Sequence, residues 1–321
     1  MGNKRKIICI VGPNASGKTG WGVSVAKKID GEIVSADSRQ VYKGLDIGTG
    51  KDLKEYGDIK YHLIDICQPE ESFTMFDWLA AARKVVEDIF SHGKTPIVVG
   101  GTGLYIQALV EGFTLEVKSE KLKVKSYRRE ELEKKSLKQL QEIFCKLKIT
   151  KLKIDENNPH RLIRAIERAQ AGEIVSKKKP DFEVLQIAVD LPREVLYRRI
   201  DQRVESRFKE GMLEETQGLI KSGVDPKWLL SLGLEYRILT DYLLCHPRFS
   251  RGSTNSKIQL SVDSRLRGND NESFKEMKQK MKFAIHAYAR RQFTWFRRFP
   301  EIVWCEDLKS AEKTIAKFLK T

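Results

Sequence analysis

Residues 12–19 read GPNASGKT, directly after the apolar run IICIV and directly before a helix-prone stretch that opens at Lys18. The string fits G-x-x-x-x-G-K-[ST], and a strand before it with a helix after it is the context in which that pattern acts as a phosphate loop. Successive backbone N–H groups and a helix N-terminus make an anion cradle. Lys18 adds a compact positive charge, and the Thr19 hydroxyl can ligate a Mg²⁺ that shares the same phosphates. Gly12, Pro13, Asn14, Ala15, Ser16, Gly17, Lys18 and Thr19 are thus read as binding a di- or triphosphate. The loop alone does not distinguish transfer of a phosphoryl group from departure of a diphosphate.

Outward from this loop, strand-like EIVS (32–35), HLIDI (62–66) and TPIVVG (95–100) alternate with helical patterns at about 18–28 and 75–90. Such alternation predicts a parallel sheet covered by helices on both faces, with ligands beyond the carboxyl ends of the strands. Those ends carry the polar strings ADSRQVY, DICQP and GGTGLY. From about residue 118 the chain turns Lys-rich with Leu and Ile at helical spacing, and VLQIAVD (184–190) then reads as a strand returning to the sheet. The expected fold is α/β, a P-loop NTPase-like parallel sheet flanked by helices with an inserted small helical domain. Its parts are a first core segment at 1–115, the insertion at 116–180, and core completion with basic helices at 181–321. A basic helix begins just after Pro192 and stops at Gly211, and another runs from about Phe274 to Phe299. Between them, about 247–273 is Ser-, Asn- and Arg-rich without apolar periodicity, which predicts a long loop.

The 321 residues hold 59 Lys and Arg against 44 Asp and Glu, a net charge of +15 that favours polyanionic partners. Five scattered cysteines without a C-x-x-C pair imply neither a zinc site nor a disulfide framework, and a reducing cytoplasm fits them. No apolar run is long enough to cross a bilayer. The basic-then-apolar start, MGNKRKIICIVG, reads as a first strand and not as a signal peptide, because it runs straight into the Gly-rich loop.

Asp37, after the second strand, faces the same crevice as the loop and suits a general base, a metal ligand or a helix cap. Thr102 in GGTGLY suits either a donor to a leaving oxygen or a helix cap, and Asp65 is a weaker candidate to sit near a bound Mg²⁺. Arg199, Arg203 and Arg207 share one helical face, as do Arg161, Arg164 and Arg168 opposite Leu162, Ile163 and Ile166. Each row fits either phosphate binding or a solvated helix face. The tail YARRQFTWFRR mixes aromatics with arginines, and Phe293, Trp295 and Phe296 suit base stacking or the core equally.

In series, GPNASGKT, ADSRQVYKGLDIGTGK, HLIDI, PIVVGGTGLYIQAL, NPHRLIRAIE, RIDQR, LGLEYR and YARRQFTWFRR resemble the tRNA dimethylallyltransferase family over nearly the whole chain. The resemblance implies transfer of a five-carbon allylic group from dimethylallyl diphosphate to N6 of the adenosine 3′-adjacent to the anticodon, with Mg²⁺ as cofactor. It implies catalytic roles for Asp37 as base and for Thr102 and Arg203 as diphosphate stabilisers. It also implies contacts between the tRNA anticodon stem-loop and Asp37, Ser38, Arg39, Gln40, Thr102, Arg129, His160, Arg161, Leu162, Ile163, Arg164 and Gly233, made by a cytoplasmic monomer. The chain departs from the family where KITKLKIDEN replaces an expected D-P-x-x-A string before NPHRLIR, and in the length of the 247–273 loop. Competing readings are a small-molecule phosphotransferase, a nucleotide-driven nucleic-acid switch, and prenyl transfer to a free adenine nucleotide.

Overall fold

The computed structural model describes residues 5–117, 127–147, 154–245 and 270–321. The chain divides into two compact units, one of Met1–Val110 with Asp181–Thr321 and one of Glu111–Pro180.

In the larger unit, β1 (Arg5–Val11) is followed by α1 (Lys18–Ile29), β2 (Gly31–Ser35), β3 (Tyr61–His62), α2 (Met75–Ser91), β4 (Thr95–Gly100) and α3 (Gly103–Val110). After the second unit, β7 (Phe182–Val189), α7 (Arg193–Glu210), α8 (Met212–Lys221), α9 (Pro226–Leu232) and α10 (Leu234–Cys245) continue the chain. The helix Asp270–Phe296 (α11), β8 (Val303–Cys305) and the helix Leu308–Lys320 (α12) complete it. Six strands form one parallel sheet in the order β3-β2-β4-β1-β7-β8. Because both faces of the sheet are covered, β1 is apolar at every position from Ile7 to Val11, and all five residues are buried. With β4 and β7 as its neighbours, β1 delivers the loop that follows it to the middle of the sheet's carboxyl edge.

α2 starts at a reciprocal cap in which the Thr74 hydroxyl accepts from Asp77 N and the Asp77 carboxylate accepts from Thr74 N. Its buried Trp78 donates Nε1 to Ser35 O at 2.9 Å, which pins the end of β2. One core packs Ile8, Ile10, Val23, Ile97 and Ile187 with Ala311 and Ile315 of α12. A second joins Leu196, Ile200 and Val204 of α7 to Met277, Met281, Ile285 and Ala289 of α11.

Two expectations are corrected. Of HLIDI only His62 enters the two-residue strand β3, since Leu63 (φ 64°) and Asp65 (φ 57°) take left-handed conformations that end the ladder. α11 begins at Asp270, so 270–273 of the expected loop are helical, while 247–269 lie outside the described residues. Among the described residues no helix is long and apolar enough to cross a membrane.

The smaller unit contains β5 (Phe113–Val117), α4 (Arg129–Glu133), α5 (Leu137–Lys146), α6 (Pro159–Gln170) and β6 (Glu173–Lys177). β5 and β6 pair antiparallel, a ribbon beside the helices that Leu/Ile periodicity predicts. Leu132, Leu140, Phe144, Leu162, Ile163 and Ile166 form its own core.

Candidate functional site

The loop after β1 closes on Gly17, whose φ of 89° lets the chain reverse into α1 and leaves the first-turn N–H groups without intrahelical acceptors. Lys18 and Thr19 line a pocket with Asp37 of the β2 end and Gly100 of the β4 end. Lys18 Nζ donates to Pro13 O at 3.3 Å, and its ammonium is pushed down to about 8, chiefly by burial and also by Arg203 and Arg207, against the opposing pull of Asp37. Behind the loop, Ser16 Oγ is buried without a hydrogen-bond partner, an orphan polar atom in keeping with an anion cradle. Among the described residues no group of three His, Cys, Asp or Glu side chains gathers to hold a metal ion.

The arginine row of α7 turns inward. Arg199 Nη1 donates to Ser16 O at 3.2 Å, bracing the loop from behind. Arg203 pairs with Asp52 and reaches Gly50 O at 3.4 Å, while the buried Arg207 donates to Gly48 O at 3.2 Å. Burial, helped by the neighbouring Arg203 and opposed by Glu235, lowers Arg207 to about 10, and it stays a cation at neutral pH. Gly50 makes this possible, because it has φ 62° and any Cβ there would overlap the Arg207 guanidinium.

Residues 46–50 are held in place by Glu215 of α8. Its carboxylate accepts from the N–H groups of Asp46 (2.8 Å), Ile47 (2.7 Å) and Gly48 (3.0 Å), and from Tyr236 Oη (2.7 Å). Four charge-assisted hydrogen bonds to one carboxylate fix the loop that carries Gly48 and Gly50 into the pocket.

On the opposite wall, Asp37 Oδ1 accepts from Arg39 N (2.9 Å) and Gln40 N (3.4 Å), so the carboxylate organises a turn and caps no helix. Thr102 Oγ1 accepts from Ser38 N at 3.1 Å, and Thr102 N donates to Ala36 O at 3.1 Å. Thr102 therefore ties the β4 end to the Asp37 turn while its own O–H proton remains available. Gln40 Nε2 donates to Gly50 O at 3.0 Å, and Arg39 meets the buried Glu235 at 3.3 Å, with Arg207 on the other side of that carboxylate at 3.8 Å. Gly233 ends α9 beside this pair, with Arg39 Nη2 3.4 Å from where a side chain would begin. Tyr288 of α11 also lines the pocket.

Asp65 is engaged elsewhere: the buried Lys51 ammonium pairs with it and with Asp46 (2.5 Å) and donates to Tyr42 O (2.8 Å), which removes Asp65 from consideration beside a metal. In the α11 tail Phe296 is core, Phe293 stacks on Trp304, and Trp295 packs against Gly103.

Sequence reasoning missed Gln292, whose Oε1 accepts from Asn14 N (2.8 Å) and whose Nε2 donates to Gly101 O (3.0 Å), joining the phosphate loop to the β4 end. Its signal was present, since Gln292 interrupts the buried stripe Ile285, Ala289, Phe296 at helical spacing. Glu215 and Glu235 carried no comparable signal.

In the smaller unit, His160 and Arg161 are exposed, Arg164 pairs with Glu167 (3.4 Å) and Glu173 (3.7 Å), and Arg129 pairs with Glu133 (2.9 Å) and Glu167 (3.4 Å). Leu162 and Ile163 are corrected as RNA contacts: their side chains are 0% and 3% exposed within the unit's core.

Residues 40–299 match the model of a protein family described as IPP transferase. The chain is 42% identical over 308 residues to tRNA dimethylallyltransferase 2 of Treponema denticola, covering 93% of both chains. It is 36% identical to tRNA dimethylallyltransferase 1 of Parabacteroides distasonis, over 98% of this chain and 97% of that one. The solved full-length tRNA isopentenylpyrophosphate transferase of Bacillus halodurans is similar with a TM-score of 0.66 at 30% identity, over 99% of this chain and 97% of that one.

Proposed function

Because this chain belongs to the IPP transferase family, we propose that it transfers a dimethylallyl group from dimethylallyl diphosphate to N6 of the adenosine 3′-adjacent to the anticodon in tRNA, releasing diphosphate. The observation that carries this reading is the pairing, in one pocket, of the Asp37 carboxylate with the cationic set of Lys18, Arg203 and Arg207. The first-turn N–H groups of α1, Lys18 and Arg203 hold the diphosphate, residues 12–19 forming its cradle. As the allylic carbon bonds to N6, its bond to the diphosphate oxygen breaks, and the electron pair leaves on an oxygen that these cations stabilise. Asp37 accepts the N6 proton, oriented by its bonds from Arg39 N and Gln40 N. Thr102, which anchors Ser38, keeps a hydroxyl proton to donate toward the diphosphate.

A Mg²⁺ carried by the diphosphate would take the Thr19 hydroxyl as its protein ligand. Such an ion neutralises charge on the leaving group. The RNA partner is the anticodon stem-loop, met by Ser38, Arg39, Gln40 and Gly233 and, in the smaller unit, by Arg129, His160, Arg161 and Arg164. The enzyme works as a cytoplasmic monomer.

Incubation with unmodified tRNA and dimethylallyl diphosphate, followed by nucleoside mass analysis, tests the reaction. A five-carbon mass gain on adenosine is expected, and it should fall by at least about 10² in rate for Asp37→Ala while tRNA binding stays within a few-fold. No mass gain, together with ATP-dependent phosphorylation of a small molecule, rejects the proposal in favour of a phosphotransferase.

A further inference from the structure

A second cavity of about 800 Å³ opens where the start of α7 meets the end of α11, and it is lined by Arg193, Arg290 and Arg297. Arg193 Nε (2.9 Å) and Arg290 Nη1 (2.7 Å) both donate to the Tyr197 hydroxyl oxygen, and Arg193 also lies 5.1 Å from the centre of the Tyr197 ring. Arg297 sits over Phe293 and Trp304, 5.6 and 5.5 Å from their centres. Cation–π contacts thus hold two of the guanidiniums against aromatic rings, and the shared phenol oxygen ties Arg193 to Arg290. Among the described residues none of the three pairs with a carboxylate, although Asp190 and Glu306 line the same cavity. Against the upward push of burial, Arg290 and Arg193 hold the Tyr197 phenol below its ordinary range, a sign of surplus positive potential. Leu196 and Tyr197 line this cavity while Ile200, three to four residues further along α7, lines the loop pocket, so about one helical turn separates these lining positions.

Guanidiniums that line one cavity, rest against aromatic rings and pair with no carboxylate among the described residues are suited to phosphate oxygens, which they bind through paired N–H donors. We propose that this cavity is a second phosphate-binding site, separate from the loop pocket, that takes phosphate groups of the substrates as they approach the enzyme. The identity of those substrates rests on the proposed prenyl transfer; the presence of the site does not. The phosphate comes either from the RNA backbone or from a small diphosphate, and binding assays tell the two apart.

The full-length chain and its Arg290→Ala/Arg297→Ala variant are titrated with inorganic diphosphate and with unmodified tRNA at several salt concentrations. If RNA is the source, the variant binds tRNA more weakly and the slope of log K against log[salt] flattens by about 1 to 2. If a small diphosphate is the source, Lys18→Met retains one class of diphosphate site that the double arginine variant lacks. Glu306→Gln, which removes a negative charge from the rim and no arginine, is expected to tighten the affected ligand about two- to fivefold. It therefore reads the site even if the arginine variants fold poorly. Unchanged tRNA slopes, no second diphosphate site and no effect of Glu306→Gln together overturn the proposal. Failure of the wild-type chain to prenylate tRNA instead rejects the proposed reaction and leaves these binding results standing.

Discussion

Two rows of arginine look alike in the sequence and end differently. On α6, the exposed Arg164 has Glu167 and Glu173 as carboxylate neighbours, and the partly buried Arg168 meets Glu173 at 3.7 Å, opposite the buried Leu162 and Ile163. On α7, Arg199, Arg203 and Arg207 brace the phosphate loop and the 46–50 segment, mostly through backbone carbonyls. Helical spacing places side chains on a common face; what that face meets is set elsewhere. For α7 the deciding partners are Gly48 and Gly50, which offer carbonyls, and Gly50 also leaves the volume that the Arg207 guanidinium fills. Ion pairs of an exposed side chain such as Arg164 contribute little to stability, whereas a cation held in a pocket acts on whatever charge enters it.

The sharpest way to break this contrast is Arg203→Ala, which removes a pocket cation and is expected to lower kcat about 10²- to 10³-fold in single-turnover prenyl transfer. An effect under about threefold would place the α7 row with the α6 row. Gly50→Ala should come next. It forces a side chain into a left-handed backbone position and into the Arg207 guanidinium, for an expected loss of about 1–3 kcal/mol in denaturant unfolding and a raised KM for dimethylallyl diphosphate. Retained stability with unchanged KM would show that the glycine is not what seats Arg207.

A milder effect is expected from pH. Lys18 titrates near 8 in the ligand-free pocket, chiefly because of burial, and a bound diphosphate favours its charged form. Diphosphate affinity should therefore hold below pH 8 and weaken above it, by up to about tenfold per pH unit until the bound-state pKa is passed. The same linkage has the opposite sign for folding: an unfolded lysine keeps its proton up to about 10.5, so the ligand-free chain gains stability from this group as pH rises above 8. Calorimetric titration of diphosphate from pH 7 to 9.5, with Lys18→Met as control, checks the slope. The smallest effect is expected for Arg164→Ala: stability within about 0.5 kcal/mol and tRNA affinity lowered by less than about tenfold. A larger loss of stability would mean that the α6 pairs hold the small unit together.

Much of the phosphate side was legible because its pattern is local. GPNASGKT carries loop, lysine and helix start within eight residues, and the apolar strands flanking it announce a parallel sheet. Asp37 could be placed at a strand end by the same reasoning. The destination of its carboxylate could not, because a helix cap and a turn cap use the same residue types. HLIDI misled for a related reason: apolar periodicity does not reveal that Leu63 and Asp65 will turn left-handed to meet Lys51 and residues 40–41. Leu162 and Ile163 were grouped with RNA contacts through a motif, although their place on the apolar face of α6 already argued for the core.

By itself the sequence determined the layered sheet, the phosphate loop at the end of its first strand, and a basic surplus suited to RNA, since each depends on composition or on neighbours along the chain. Only the tertiary structure decided that Glu215 of α8 fixes the loop before Lys51, that Gln292 of α11 joins Asn14 to Gly101, and that Arg203 and Arg207 of α7 face the pocket. Those contacts join residues from about 150 to about 280 positions apart, and no local periodicity records a partner at that distance. The pocket takes its charge and shape from packing, and packing is the part of the problem that short-range pattern leaves open.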